Sequence, residues 1–270
     1  MERIDKILSH EGFGSRKDIK KLLRTAEVTV NGRQIYDSAF QIDTEKDTVC
    51  IDGEELNLHG EIYLMMNKIM HTVCSTKDGD HRTVFDLLDD SYRTPYLLDK
   101  LHLVGRLDMD TEGLLIFTTD GSLTHRIISP KNHIDKSYFC VLEHDETDGH
   151  RKEIQKLFEE GLEVGADDND PPFVTEPACV RWPSEEEIKE YTKLSSISET
   201  LPKASAASPL NTAILTIHEG KYHQVKRMFA AVGNKIVFLK RISMGSLPLD
   251  KNLAPGQYRE LRIEEVQKLI

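Results

Sequence analysis

Residues 105–121 read G-R-L-D-M-D-T-E-G-L-L-I-F-T-T-D-G, and no other stretch constrains the chain as strongly. Leu114, Leu115, Ile116 and Phe117 are four large apolar residues in a row, which suits a buried strand and is too short for a helix. Asp108 then falls on the loop leading into residues 114–118, with Arg106 before it and the Gly113 turn after it. Such a layout holds one carboxylate still beside an anionic substrate. Ordinary turn chemistry accounts for the same acids, because Asp side chains bond nearby amides and tolerate unusual dihedrals. A calcium loop does not. Asp108, Asp110, Glu112 and Gly113 fit the first half of an EF-hand, but Thr119 stands where the bidentate Glu belongs, and the apolar run fills the ligand positions.

At 270 residues the chain exceeds one average domain, and a large domain with a small one is expected. A hydrophobic content of 39% with a mean hydropathy of -0.43 describes a soluble globular protein with a sizeable core. The first residues are charged where a signal peptide needs an apolar core, and no run approaches the ~20 apolar residues of a membrane span. A cytoplasmic protein without a membrane partner is expected. Cys50, Cys74, Cys140 and Cys179 are too far apart for a C-x-x-C motif and are expected to be reduced thiols. No metal site and no cofactor are expected.

The formal net charge of -11 argues against a nucleic-acid partner only until its placement is considered. Residues 143–202 hold 17 acidic and 6 basic residues, so the rest of the chain is neutral as a whole. Two stretches are locally basic. Residues 12–24 carry Arg16, Lys17, Lys20, Lys21 and Arg24 against Asp18 alone, and residues 220–241 carry Lys221, Lys226, Arg227, Lys235, Lys240 and Arg241 with no acid.

Residues 1–58 organise into a small unit. Ile4, Ile7 and Leu8 mark a short helix, Gly12 and Gly14 break it, and Ser15 caps a second helix that buries Ile19, Leu22 and Leu23. The basic residues of that helix recur at three- and four-residue spacings and gather on the opposite face. Strand-like 28–30 followed by Asn31-Gly32, and 49–51 followed by Asp52-Gly53, are hairpin signals of type I′. A solvated amphipathic helix explains the charges equally well. The order of helix, Gly-rich turn, basic helix and hairpin strands nevertheless resembles the alpha-L RNA-binding domain, first known from a ribosomal protein, which grips phosphates and reads shape more than sequence.

From residue 62 a larger domain extends to 270. Strands are expected at 62–67, 138–142, 213–217 and 236–239, and helices at 151–160 and 222–232. The elements mix without the alternation of a doubly wound sheet, which implies an α+β fold. Residues 183–209, rich in Glu, Ser, Ala and Pro, are expected to form a surface insertion or mobile loop kept solvated by its acids.

Asn67-Lys68, Val73-Cys74-Ser75-Thr76, the 105–121 run, Lys136-Ser137-Tyr138 and G-K-Y-H-Q-V-K-R-M-F-A-A-V-G-N at 220–234 follow one another in an order that resembles the ribosomal small subunit pseudouridine synthase A branch of the RNA pseudouridine synthases. The resemblance spans nearly the whole chain. It implies a mixed or antiparallel catalytic sheet behind the small N-terminal domain. It also implies a reaction in which uracil leaves its ribose, turns and rejoins through carbon, with no energy carrier consumed. Asp108 matches the family's catalytic Asp, which is ionised at neutral pH and suited to attack the sugar or take a proton. The target base must first be extruded from its stack.

Several neighbours acquire expected roles from the same resemblance. Tyr138 lies against the flipped base, with a core tyrosine as the bland alternative. Arg106 fills the vacated stack or holds a phosphate, and Lys226 pairs with the catalytic carboxylate. Leu239 packs on the uracil or in the core. Lys221 and Arg227 are expected at RNA phosphates, as are Arg16, Lys17, Lys20, Lys21 and Arg24 in the small domain. His223 is expected to be a phosphate or structural contact, and Gln224 a weaker contact.

The chain departs from the family pattern at Glu112, Asp135 and Met244, and the 183–209 segment is expected to make it longer than its relatives. Glu112 is expected to bring a carboxylate close to RNA, where its charge repels phosphate. The expected function is isomerisation of a uridine in small-subunit ribosomal RNA, within a partly assembled subunit, by a monomer. The alternatives are a large-subunit synthase of the same plan and a ribosome-assembly RNA-binding protein without turnover. Retention of Asp108, Tyr138 and Lys226 together speaks against the last.

Overall fold

The computed structural model describes residues 1–270 apart from 45, 57, 59–60, 94, 168–169 and 198–206. The chain divides into two compact units, one of residues 1–62 with 88–102 and one of residues 63–87 with 103–270. The class is α+β.

In the first unit the helices Ile4–His10 and Arg16–Thr25 meet over Ile4, Ile7, Leu8, Ile19 and Leu23, all buried against Val28, Val30 and Val49. Each fully buried aliphatic side chain contributes roughly 1.5–3 kcal/mol. Ser15 starts the second helix by accepting from Asp18 N while the Asp18 carboxylate accepts from Ser15 N at 2.9 Å, so two otherwise unpaired amides are satisfied. Leu22, expected inside, is half-buried, whereas Arg16, Lys17, Lys20, Lys21 and Arg24 are all exposed. The strands Val28–Val30, Arg33–Gln34, Val49–Ile51 and Glu54–Leu56 form an antiparallel sheet. Both turns need two successive positive φ angles. Asn31 and Gly32 supply 50° and 76°, and Asp52 and Gly53 supply 51° and 84°.

The second unit is built on one sheet in the order Cys179–Arg181, Thr212–Ile217, Lys136–Leu142, Ile236–Met244, Thr111–Thr118, Tyr63–Lys68, Tyr258–Glu260. Its neighbours are antiparallel except for Ile236–Met244 beside Thr111–Thr118, which run parallel. That parallel pair dictates Gly113. A Cβ there would lie 2.2 Å from the Arg241 carbonyl oxygen, and the backbone φ of +104° is one that side chains avoid. The expected strand at 114–118 is therefore the end of a longer one.

Strand alternation sorts the core into two layers. Tyr138, Cys140 and Leu142 pack with Ile154 and Phe158 of helix Asp148–Glu160 and with Val225, Met228 and Phe229 of helix Gln224–Ala231. Phe139 and Val141 pack on the other side with Ile188, Phe238 and Ile242.

The 183–209 segment departs from expectation. Ser184 and Glu187 form a capping box for an α-helix, Glu185–Lys193, whose Ile188 is buried and whose Tyr191, together with Ile197, packs against the same layer. Apolar residues at three-residue spacing within an acidic stretch anchor it, so its described part is docked structure; residues 198–206 lie outside the described residues. The docked segment covers Glu112, which is fully buried and accepts from Ser196 N at 3.0 Å and from the Ser196 hydroxyl. Glu112 thus presents no charge to a ligand, contrary to expectation.

Three basic residues of the stretch 220–241 are likewise buried, Arg227, Lys240 and Arg241. Lys240, beside Glu112 in register, donates to the carbonyls of Leu194 at 2.5 Å and Tyr191 at 3.4 Å, and Arg241 Nε donates to Leu114 O at 2.7 Å. Burial lowers the Lys240 pKa to about 8, with the Glu112 charge opposing the shift. Among the described residues, no helix is long and apolar enough to cross a membrane.

Candidate active site

A cavity of about 670 Å³ opens in the second unit where the 105–110 loop meets the start of helix Gln224–Ala231. Its lining includes Arg106, Asp108, Tyr138, Lys226 and Leu239. All five residues expected at the reaction centre are therefore gathered in one place.

The loop carrying Asp108 is held from below. Leu107 is buried in the core, and its amide points at Cys74 Sγ, 3.4 Å away. Lys68 is fully buried and donates to the carbonyls of Thr111 at 2.9 Å, Ile69 at 3.1 Å and Met109 at 3.3 Å. One ammonium thus ties together both sides of the two-aspartate turn. Burial lowers the Lys68 pKa to about 8, with Cys74 and the carboxylates of Asp110, Asp108 and Glu112 opposing the shift. His71 N adds a bond to Met109 O at 2.8 Å. These constraints leave Asp108 half-buried at the cavity wall, its side chain 31% exposed.

The helix across the cavity supplies the cation. Lys226 Nζ lies 3.1 Å from Asp108 Oδ2 and 2.6 Å from Asp110 Oδ1. Burial alone would lower the Lys226 pKa, but the bond to Asp110 and the charges of both carboxylates outweigh it and raise the pKa. Asp110 therefore shares the cation rather than serving as a turn residue alone. Asp120 is a framework carboxylate: it caps helix Gly121–Ile128 through the amides of Ser122 and Leu123 and accepts from Tyr63 OH at 3.1 Å.

Tyr138 and Leu239, 7% and 4% exposed, sit on neighbouring strands and form an apolar floor beside the carboxylate. A planar base fits such a surface, since a π-face stacks on an aromatic or aliphatic side chain at little conformational expense. Arg106 is exposed at the rim. Lys221 also lines the cavity, pairing with Glu219 at 2.7 Å and lying 4.2 Å over the Phe173 ring.

Arg227 does not join them. Its side chain is 6% exposed, donates to the carbonyls of Gly165, Pro171 and Tyr222, and stacks on Phe173. The expected phosphate ligand is instead a tie between the Gly165 and Pro171 carbonyls. Gln224, 3% exposed, is similarly committed to Glu219 and the Lys221 amide.

Two residues do more than the sequence implied, His223 having been expected only as a phosphate or structural contact. Lys68 belonged to a recognised motif but had no assigned task. His223 sits in the left-handed region at φ 48°, with Nδ1 2.7 Å from Asp167 Oδ2 and Nε2 3.8 Å from Asp108 Oδ2. Asp167 thereby aims an imidazole at the central carboxylate, and nothing around Asp167 in the sequence marks it for that. Arg16, Lys17, Lys20, Lys21 and Arg24 belong to the other unit.

The arrangement thus offers an oriented carboxylate, with a shared cation and an imidazole beside it, next to an apolar floor of Tyr138 and Leu239. Comparison with known proteins gives the family. Residues 62–231 match the family described as RNA pseudouridylate synthase, and residues 2–49 match the S4 domain. The chain is 39% identical over 270 residues to an uncharacterized RNA pseudouridine synthase, YtzG, of Bacillus subtilis, covering 99% of this chain and 98% of that protein. It is 38% identical to ribosomal small subunit pseudouridine synthase A of Vibrio cholerae, with 99% of each chain covered. The Escherichia coli K12 protein of the same name is 36% identical, with 99% of this chain and 100% of that one covered. A crystal structure of a pseudouridylate synthase, 33% identical, superposes with a TM-score of 0.59 over the full length of both chains. The near-equal lengths show that the 183–209 segment does not lengthen this chain relative to those proteins, contrary to expectation. The chain is an enzyme of the RNA pseudouridylate synthase family.

Proposed function

We propose that the protein converts one uridine of small-subunit ribosomal RNA to pseudouridine, with Asp108 as the reacting carboxylate and the target base flipped into the 670 Å³ cavity. The observation that carries this reading is the Lys226 contact to Asp108 beside the Tyr138 and Leu239 floor. The RNA partner follows from the S4 domain and its exposed basic helix, and the small-subunit target from the relatives named for it.

The reaction is an isomerisation. The bond from the sugar C1′ to N1 breaks, a bond from C1′ to C5 forms, the C5 proton leaves and N1 gains one, so no atom is added or lost overall. Flipping a base costs a few kcal/mol of stacking and pairing. Tyr138 and Leu239 replace part of that stack, and Arg106 at the rim is placed to fill the gap or hold a phosphate. Lys226, 3.1 Å from Asp108 Oδ2, orients the carboxylate while charge develops at the sugar. Exposed Arg16, Lys17, Lys20, Lys21 and Arg24 bind phosphates without reading sequence. Lys221, which lines the cavity, adds a phosphate contact there.

The test compares wild type with Asp108→Ala on ribosomal RNA and assembling subunits from a strain lacking the protein, mapping pseudouridine at nucleotide resolution. Product from wild type only, with RNA binding retained by both, is expected. Equal product from the variant overturns the role of Asp108, and a product site in large-subunit RNA overturns the target.

A further inference from the structure

We propose that His133, Glu176 and His218 form a binding site for a divalent transition cation of the zinc type, apart from the reacting carboxylate. One ligand atom from each of the three residues lies within 4.8 Å of the others. His133 follows the short 3-10 turn Pro130–Asn132, Glu176 precedes strand Cys179–Arg181, and His218 follows strand Thr212–Ile217. Three segments distant in sequence thus converge on one point with two imidazoles and one carboxylate, a donor set suited to zinc.

The geometry is close to what a cation needs. His133 Nδ1 is 3.7 Å from Glu176 Oε2, and the two imidazole rings stand edge to face with centroids 5.4 Å apart. Tetrahedral ligands about 2.0–2.2 Å from a zinc ion are roughly 3.3–3.5 Å from one another, so closure requires only side-chain adjustment. A second carboxylate borders the cluster, with Asp135 Oδ1 3.2 Å from His218 Nδ1. Such a neighbour orients a ligating imidazole or completes the coordination shell. The side chains of His133, Glu176 and His218 are 61%, 45% and 29% exposed, which leaves a path for the ion.

The position gives the ion something to do. Glu176 N donates to Glu219 Oε2 at 2.9 Å, and the same oxygen accepts from Gln224 Nε2 at 2.6 Å. Glu219 follows His218 directly, and residues 220–226 line the cavity. A cation held by Glu176 and His218 therefore fixes the start of the turn that presents Lys221, His223 and Lys226. It also replaces one negative charge by a net positive one, near a surface that receives RNA.

Zinc chloride titrated into the full chain at pH 7.5, followed by calorimetry and by the visible absorption of a cobalt(II) substitute, tests the site. One ion per chain is expected, with a cobalt spectrum of low coordination number. His133→Ala/His218→Ala is expected to lose the stoichiometric site, and Asp135→Asn to weaken it roughly tenfold or more. Glu176→Gln provides an independent variant should the double substitution fail to fold, as judged by circular dichroism, and is also expected to lose the site. A zinc-dependent rise in melting temperature should follow the same pattern. Absence of a stoichiometric ion in wild type, or unchanged binding in a folded ligand variant, overturns the proposal.

Discussion

Lys226 Nζ stands 3.1 Å from Asp108 Oδ2 and 2.6 Å from Asp110 Oδ1, and 116 residues separate Lys226 from Asp110 in sequence. One partly buried cation therefore serves two carboxylates, and only the fold brings them together. Replacing it by Met leaves two neighbouring carboxylates without their shared cation. Lys226→Met is expected to lower the single-turnover rate roughly a hundredfold, the usual size for loss of one preorganised electrostatic partner, while RNA affinity changes little. Rates and affinities measured on the same substrate check this; a rate within twofold of wild type refutes the pairing as functional.

Asp167 and His223 are expected to act as a unit on Asp108. His223→Gln should slow turnover about tenfold, Asp167→Asn should do the same, and the double variant should be no slower than either. Multiplicative losses in the double variant would show that the two residues act separately.

Lys68 satisfies three carbonyl oxygens beneath the Asp108 turn. Lys68→Met removes a buried donor from all three, and although Met109 O keeps His71 N and Ile69 O keeps the Thr72 hydroxyl, the expected cost is about 1–3 kcal/mol. Urea unfolding measures the loss. Since the turn positions Asp108, turnover should fall even under conditions where the variant is fully folded.

Lys240 has a pKa of about 8 in the folded protein against 10.5 as its ordinary value. Below pH 8 it is protonated in both states and adds no pH dependence. Between pH 8 and 10.5 the unfolded chain binds more protons, so its contribution to stability rises with pH, by up to about 3 kcal/mol. Lys68 and Lys136, both lowered to about 8, act in the same direction. Comparing wild type with Lys240→Met isolates one of the three: the stability of wild type relative to the variant should grow from pH 8 to 10. A difference that stays flat would contradict the shift.

Lys20 and Lys21 lie exposed on the capped helix of the small unit. Lys20→Glu/Lys21→Glu should weaken RNA binding across sequences and reduce the salt slope by about 1 for each phosphate that is no longer neutralised. Affinities at several salt concentrations decide the matter, and an unchanged slope removes this helix from the RNA-binding surface.

Much of the fold was legible because its signals are local. The Ser15 cap, the Asn31-Gly32 and Asp52-Gly53 turns and the apolar strand after Asp108 are each set by a few neighbouring residues, and each formed as expected. The helix Glu185–Lys193 was not read because the apolar Ile188 and Tyr191 are diluted by four glutamates between 185 and 190, and composition averages out a three-residue spacing. Arg227, Lys240 and Arg241 counted as a basic surface for a similar reason: a list of charges carries no record of which are inside.

The sequence by itself determined the local turns and caps and the family, and it marked Asp108, Tyr138 and Lys226 through motifs, whereas the grouping of residues 88–102 with 1–62 departs from the boundary expected at 62. Only the tertiary structure decided what the marked groups touch. It shared Lys226 between Asp108 and Asp110, aimed His223 with Asp167, turned Glu112 into the interior and converged His133, Glu176 and His218. The physical reason is range. Turns, caps and strand periodicity depend on residues a few positions apart, whereas burial and charge pairing depend on distances in space that strand order and register create.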